Sequence, residues 1–379
     1  MTSLRPVRSW HSIWSESYWQ VKIENNSALL QPFPAIGTHL SISIAVLILL
    51  GLFQAAVQAA PEEEPDDAFE FSDFPLQQPL EHPAWFKQSF LDLREDLREA
   101  DAADKAGIIV YFGQQRCAYC KLLLTVNFGQ PETAIYTRRN FDVIPIDIWG
   151  VDEVTDINGT LLTEREFALR EKTNFTPSLI FYDKSGAEAL RLRGYYPPYK
   201  FRAALEYVAD AHFRKESFSS FLERGSGALA FEPGELNDQD FFTPPPYALD
   251  RSRFPAERPL ALFFEQGDCH ACNVLHAQPL SEPEIIDLFE QFENVQLDIH
   301  ADTPVITPGG ERLNAKEWAR KLSLFYTPSL IFFDHHGKEI IRVDSVVQFY
   351  RLRNVLRYVL SGGYLTQPDY QLWRVNGAP

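Results

Sequence analysis

The sequence predicts an α/β protein made of two tandem copies of one domain, each a central mixed β-sheet flanked by helices. Three observations predict it. First, TPSLIF occurs at 176–181 and again at 327–332; the same offset carries Asp147-Ile148 onto Asp298-Ile299 and Leu205 onto Leu356. That period is too long for a solenoid, so each copy has its own core. Second, short apolar runs alternate with stretches of helical periodicity, the pattern of a sheet covered by helices. Third, each copy places a C-x-x-C pair directly after its first apolar run.

The elements of the first copy follow in order. HPAWFKQSFLDLREDLREADAADK (82–105) has helical periodicity. IIVYF (108–112) reads as a buried strand, and KLLLTVNF after the cysteines as a helix. VIPID (143–147) is a second strand. VTDINGTLL (154–162) alternates around Asn158-Gly159, a hairpin signal. TEREFALREK (163–172) is helical, with Thr163 and Glu166 at capping-box spacing. SLIFYD, a turn at Lys184-Ser185-Gly186 and EALRLRG form a second hairpin, and YKFRAALEYVADAHF closes the copy as a helix.

These assignments divide the chain into a leader (1–59), an acidic proline-rich linker (60–81), a first domain (82–225), a second linker (226–257) and a second domain with a C-terminal tail (258–379). The proline-rich stretch 232–259 stands where copy one has its long first helix. Copy two is therefore expected to borrow part of its edge from it.

The leader carries an address. Residues 40–59, LSISIAVLILLGLFQAAVQA, hold no charge and are long enough for a secretory apolar region or one membrane span. Val57 and Ala59 stand as in the −3 and −1 positions of a cleavage site. Arg5, Arg8 and Lys22 lie before the run and PEEEPDD after it, which predicts the N-terminus inside and the remainder outside. A cleaved signal and a retained inner-membrane anchor both remain open; either puts the remainder in the periplasm or otherwise exports it. The net charge of −17, without a basic cluster, excludes nucleic acid as the expected partner.

Cys117, Cys120, Cys269 and Cys272 are the only cysteines. C-x-x-C serves as a redox dithiol, as half a zinc site or as a copper clip. A three-residue loop gains little stability from a disulfide, so the pairs do not read as staples. Equivalent positions in separate copies argue against one shared tetrahedral zinc site. Two thiolates suit Cu(I), although Met1 is the sole methionine. No metal site is assigned. At a helix start the first cysteine meets unpaired N–H groups and the positive end of the macrodipole, which favour a thiolate. The second lies one turn further in, within reach of a mixed disulfide. Downstream, Thr176-Pro177 and Thr327-Pro328 head strands, where a cis peptide bond would be a built-in feature.

C-x-x-C at a helix start followed by Thr-Pro at a strand head resembles the thioredoxin fold. FKQSFLDLREDL, RCAYCK, DIWG, DINGTLLTEREFA, TPSLIFYD and RLRGYYPP more closely resemble the exported SoxW-like thioredoxins, which are associated with periplasmic sulfur-oxidation clusters. The resemblance covers about 82–225 well and 258–365 more weakly. It implies that Cys117 and Cys269 attack disulfides, that Cys120 and Cys272 resolve the mixed disulfides, and that Thr176 and Thr327 hold an extended substrate strand beside Pro177 and Pro328. It implies no dissociable cofactor, only redox-active Cys117–Cys120 and Cys269–Cys272. The implied partners are disulfide-containing exported proteins or small thiols, and a membrane thiol-electron transporter or another periplasmic dithiol protein.

The departures matter. Arg116 and Asp268 replace the usual tryptophan before the motif. Tyr111 and Phe263 stand where thioredoxins bury an aspartate, so proton handling differs. GYYPP of copy one becomes SVVQF in copy two, which predicts an altered second groove. Arg116 and Lys121 favour a thiolate at Cys117; Asp268 disfavours one at Cys269, while His270 favours it when protonated. Cys117 is therefore expected to be the more acidic nucleophile. Tyr119, inside the first motif, either packs or tunes it. The leading reading is an exported tandem thiol–disulfide oxidoreductase. The competing one is a non-catalytic copper carrier or protein-binding module on the same fold.

Overall fold

The computed structural model describes residues 71–226 and 235–377. The leader and its 40–59 run lie outside the described residues, among which no helix is long and apolar enough to cross a membrane.

In the first domain, β1 (Gly107–Gly113), β2 (Phe141–Asp147), β5 (Ser178–Asp183) and β6 (Glu188–Arg193) form one sheet in the order β2-β1-β5-β6. β1 pairs parallel with β2 and antiparallel with β5, so the sheet is mixed. All seven β1 residues are buried, as an unbroken apolar run requires of a central strand. β3 (Glu153–Thr155) and β4 (Leu161–Thr163) form the expected hairpin, with Gly159 at φ 86° in its turn. Of the helices, α1 is Leu93–Ala102, α2 Ala118–Leu122, α3 Pro131–Asn140, α4 Glu164–Arg170, α5 Pro198–Ala209 and α6 Phe218–Ser226. α2 runs on into one π-helical turn, Leu123–Asn127. The capping box of Thr163 and Glu166 opens α4 as its spacing predicts.

Two helical readings need correction. The stretch read as one helix from residue 82 turns helical only at Leu93. Leu91 takes φ 61° and the Asp92 carboxylate accepts from the backbone N–H groups of Arg94 and Glu95, which fixes the start there. α3 lacks an amphipathic pattern in the sequence: its polarity hides it, and Pro131 at its first turn is the local signal.

The second domain repeats the plan. β8 (Leu260–Glu265), β9 (Glu293–Asp298), β12 (Ser329–Phe333) and β13 (Glu339–Val343) take the equivalent order β13-β12-β8-β9. Its helices are α7 (His270–Ala277), α8 (Pro283–Phe289), α9 (Ala315–Lys321), α10 (Phe349–Leu360), α11 (Gly363–Thr366) and α12 (Tyr370–Gly377). The proline-rich stretch before it adds an edge: β7 (Tyr247–Ala248) pairs parallel with β10 (Pro304–Ile306), which also pairs with β11 (Arg312–Asn314). Phe241 stacks on Phe289 and Phe242 meets Phe263 edge-on, in place of a first helix.

The copies pack through equivalent loops. Gly194 and its counterpart Ser345 meet: a Cβ on Gly194 would lie 2.0 Å from Ser345 Oγ, and Gly194 holds φ 104°. Val346 N donates to Tyr195 O at 3.1 Å. Phe175 of the first domain is buried in the second domain's core cluster, and Tyr326, its counterpart, in the first domain's. Such reciprocal contacts are those of a two-fold interface, made here within one chain.

Candidate functional site

Each cysteine pair closes a strand and caps a helix. β1 ends at Gly113 and β8 at Glu265; Cys117 is the N-cap of α2 and Cys269 that of α7. Cys120 N donates to Cys117 Sγ at 3.0 Å, and Cys272 N to Cys269 Sγ at 3.1 Å. The first cysteine of each pair thus receives a helix-end N–H, the contact that stabilises a thiolate. Both pairs are disulfide-bonded. Cys117 is 6% exposed and Cys269 7%, whereas Cys120 and Cys272 are sealed at 0%. The first cysteine of each pair keeps a small exposure and the second has none.

Thr176 faces the first pair. Its Oγ1 lies 3.3 Å from Cys117 Sγ, its carbonyl oxygen 3.5 Å. Thr327 faces the second pair more loosely, both oxygens 3.7 Å from Cys269 Sγ. Thr176-Pro177 and Thr327-Pro328 are cis. Gln114 Nε2 donates to Thr176 Oγ1 at 2.8 Å, while Gln114 Oε1 accepts from Trp149 Nε1 and from Arg374 Nη2. Thr176 is therefore fixed by a chain of partners that ends in the other domain.

The flanking charges lie at the surface. Arg116, Lys121, Asp268 and His270 are all exposed, so water screens them. Tyr119 is buried: its hydroxyl donates to Asp73 Oδ2 and accepts from Gln348 N, both at 2.8 Å. Burial foremost, then the Asp73 charge, pushes the phenol well above its ordinary range.

The cation that does reach the first centre is Arg351 of the second domain, in the first turn of α10. Its Nη2 donates to the Thr176 carbonyl at 2.8 Å, and its guanidinium carbon stands 3.4 Å from the centre of the Tyr119 ring and 5.0 Å from that of Phe175. Asp73 anchors this end of α10: its carboxylate accepts from Tyr350 N and Arg351 N, both at 2.8 Å. Residues 71–81, read as part of a linker, thus help build the site. Lys200 is Arg351's counterpart. It donates to Phe325 O at 2.9 Å and lies 4.8 Å over the Tyr326 ring, and burial lowers its ammonium to about 8. Sequence reasoning missed Asp73, Gln114 and Arg351. Gln114 could have been suspected from its place three residues before Cys117; the other two carry no local signal.

A strand that delivers a dithiol to a helix N-terminus, opposite a Thr-Pro strand head, defines a dithiol–disulfide protein. The thioredoxin-like domain model matches residues 93–209 and 251–360, and the chain belongs to that family, with two copies of the domain. No curated protein matches the chain. Among solved structures, a thioredoxin-fold protein from Helicobacter pylori is 24% identical over 33% of this chain and 81% of its own, with a TM-score of 0.29. A thioredoxin from Thermus thermophilus is 23% identical over 37% and 95%, with a TM-score of 0.26. The C-terminal domain of Neisseria meningitidis DsbD, in its oxidised form, is 20% identical over 31% and 89%, with a TM-score of 0.22. The fold and its two C-x-x-C pairs support thiol–disulfide exchange as the general chemistry.

Proposed function

We propose that the chain is an exported thiol–disulfide oxidoreductase of the SoxW-like kind, working on disulfides of exported proteins or small thiols through both pairs. The observation that carries this reading is the difference within each pair: the first cysteine keeps a small exposure and its sulfur meets a helix N-terminus, while the second is fully buried behind it. In the reducing direction, the Cys117 thiolate attacks a substrate disulfide and expels one substrate thiolate, which takes up a proton. Cys120, losing its proton, then attacks Cys117 Sγ, releases the second substrate thiol and closes Cys117–Cys120. Cys269 and Cys272 run the same two steps. A dithiol protein or a membrane thiol-electron transporter supplies the two electrons that reopen each pair. No dissociable cofactor enters the cycle.

Thr176 and Thr327 align an extended substrate strand beside the attacking sulfur. The Thr176 carbonyl accepts from Arg351 Nη2 and keeps a second lone pair for a substrate strand. Cys120→Ser tests the reading. Incubated with a disulfide substrate, this variant accumulates a mixed disulfide on Cys117, visible by intact mass and lost in Cys117→Ser/Cys120→Ser. A variant that traps nothing and copurifies with copper overturns the reading in favour of a carrier.

A further inference from the structure

The geometry points to Arg351 as a positioning residue supplied by the second domain to the first redox centre, where its charge makes Cys117–Cys120 the more oxidising of the two pairs. The inference rests on the redox reading of that pair. Reduction of the disulfide takes two electrons from an external dithiol and, where Cys117 ionises, one proton, leaving a Cys117 thiolate and a Cys120 thiol. The disulfide is neutral and the reduced pair is not, so a nearby fixed cation favours reduction.

Arg351 is that cation. Nη2 lies 2.8 Å from the Thr176 carbonyl oxygen, which itself lies 3.5 Å from Cys117 Sγ. The charge is therefore at most about 6 Å from the sulfur, and two charges so placed at an effective dielectric between that of a protein surface and water are coupled about threefold to a hundredfold. Arg351 is 7% exposed, so salt screens it little. Its Nη1 has no partner among the described residues, which leaves the guanidinium incompletely neutralised. The charged and titratable groups around it are Asp73 and Tyr119 on one side and Tyr370 and Arg374 of α12 on the other. Asp73 is already engaged by three donors.

The second centre lacks this arrangement. Ala271 replaces Tyr119, and Lys200 ends on Phe325 O, two residues short of the Thr327 carbonyl. The asymmetry between the centres therefore comes from the domain interface rather than from Arg116 and Asp268 beside the motifs.

The test uses the full chain with Cys269→Ser/Cys272→Ser, equilibrated with glutathione redox buffers at pH 7 and read by alkylation and intact mass. Arg351→Gln is expected to shift the dithiol–disulfide equilibrium about tenfold, about 30 mV, toward the disulfide. Arg351→Lys restores most of the shift, and Asp73→Asn moves the equilibrium the opposite way. A role confined to packing would move the Arg351 and Asp73 variants together. In the complementary Cys117→Ser/Cys120→Ser chain, Arg351→Gln leaves Cys269–Cys272 unchanged. Should Arg351→Gln not fold, Asp73→Asn still carries the test, since it is expected to shift the equilibrium toward the dithiol while Arg351→Lys stays near the unmodified chain. Unchanged equilibria, or equal shifts in both centres, overturn the inference. A first pair that does not titrate reversibly in the unmodified Arg351 background overturns the redox reading instead.

Discussion

Replacing Asp73 with alanine removes three hydrogen bonds at once. Its Oδ1 accepts from Tyr350 N and its Oδ2 from Arg351 N and the Tyr119 hydroxyl. Tyr350 and Arg351 are the second and third residues of α10, so Asp73 serves as a helix cap delivered from a distant part of the chain. Loss of a cap costs about 1 kcal/mol, and a buried hydroxyl left without its acceptor about 1–3 kcal/mol. Asp73→Ala is thus expected to destabilise the fold by about 2–4 kcal/mol, a large share of the roughly 5–15 kcal/mol of a typical domain. Asp73→Asn, which keeps one acceptor oxygen, is expected to cost less than half as much. Urea unfolding followed by tryptophan fluorescence measures both. Tyr119 and Arg351 also hold the first centre against the second domain, so the alanine variant should be cleaved faster by trypsin at native temperature. A cost below about 1 kcal/mol, with unchanged proteolysis, would show that 71–81 is a passive linker and refute the reasoning.

Three further outcomes are expected. Gly194→Ala should lower the melting temperature through both its φ of 104° and its clash with Ser345 Oγ. Adding Ser345→Gly should recover only the clash, so the pair shows a coupling above about 0.5 kcal/mol; strict additivity would contradict the contact. Phe175→Ala should cost about 3 kcal/mol and loosen the second domain, whose core that ring enters; hydrogen exchange confined to the first domain would argue against it. Burial raises the Asp96 carboxyl from 3.8 to about 6. The fold therefore favours its protonated form, and this contribution, complete below pH 4, is lost as pH rises through 6. Asp96→Asn should remove up to about 3 kcal/mol of that decline, and an unaltered pH–stability slope between 4 and 6.5 would count against it.

Local chemistry was legible and distant chemistry was not. The repeat, the strand before each cysteine pair and the hairpin at Asn158-Gly159 follow from periodicity and turn residues that act over a few positions. The same holds for the α4 cap at Thr163. The start of α1 was misplaced because 82–92 shares the helical spacing of apolar residues, yet Leu91 and Asp92 stop a helix from extending backwards. The change from GYYPP to SVVQF was read as an altered second groove. In the structure these two segments meet each other, through Gly194 with Ser345 and Tyr195 with Val346. Arg116 and Asp268 stood out because they adjoin the cysteines, but both project into solvent. Arg351 reaches Thr176 across 175 residues, and only the packing of two copies brings it there. A charge beside a motif in sequence and a charge beside it in space are different quantities, and burial decides which one tunes a sulfur.

If both cysteine pairs are reversible redox centres of a folded protein, the unmodified chain must show it. Equilibrating the unmodified chain across glutathione ratios, then alkylating and weighing it intact, measures this. Two separate two-electron transitions are expected, from no alkylated thiols to two and then four, reversible and without loss of secondary structure, with Cys117–Cys120 reduced first. Pairs that open only as the chain unfolds, or that emerge carrying metal instead of a disulfide, would contradict it.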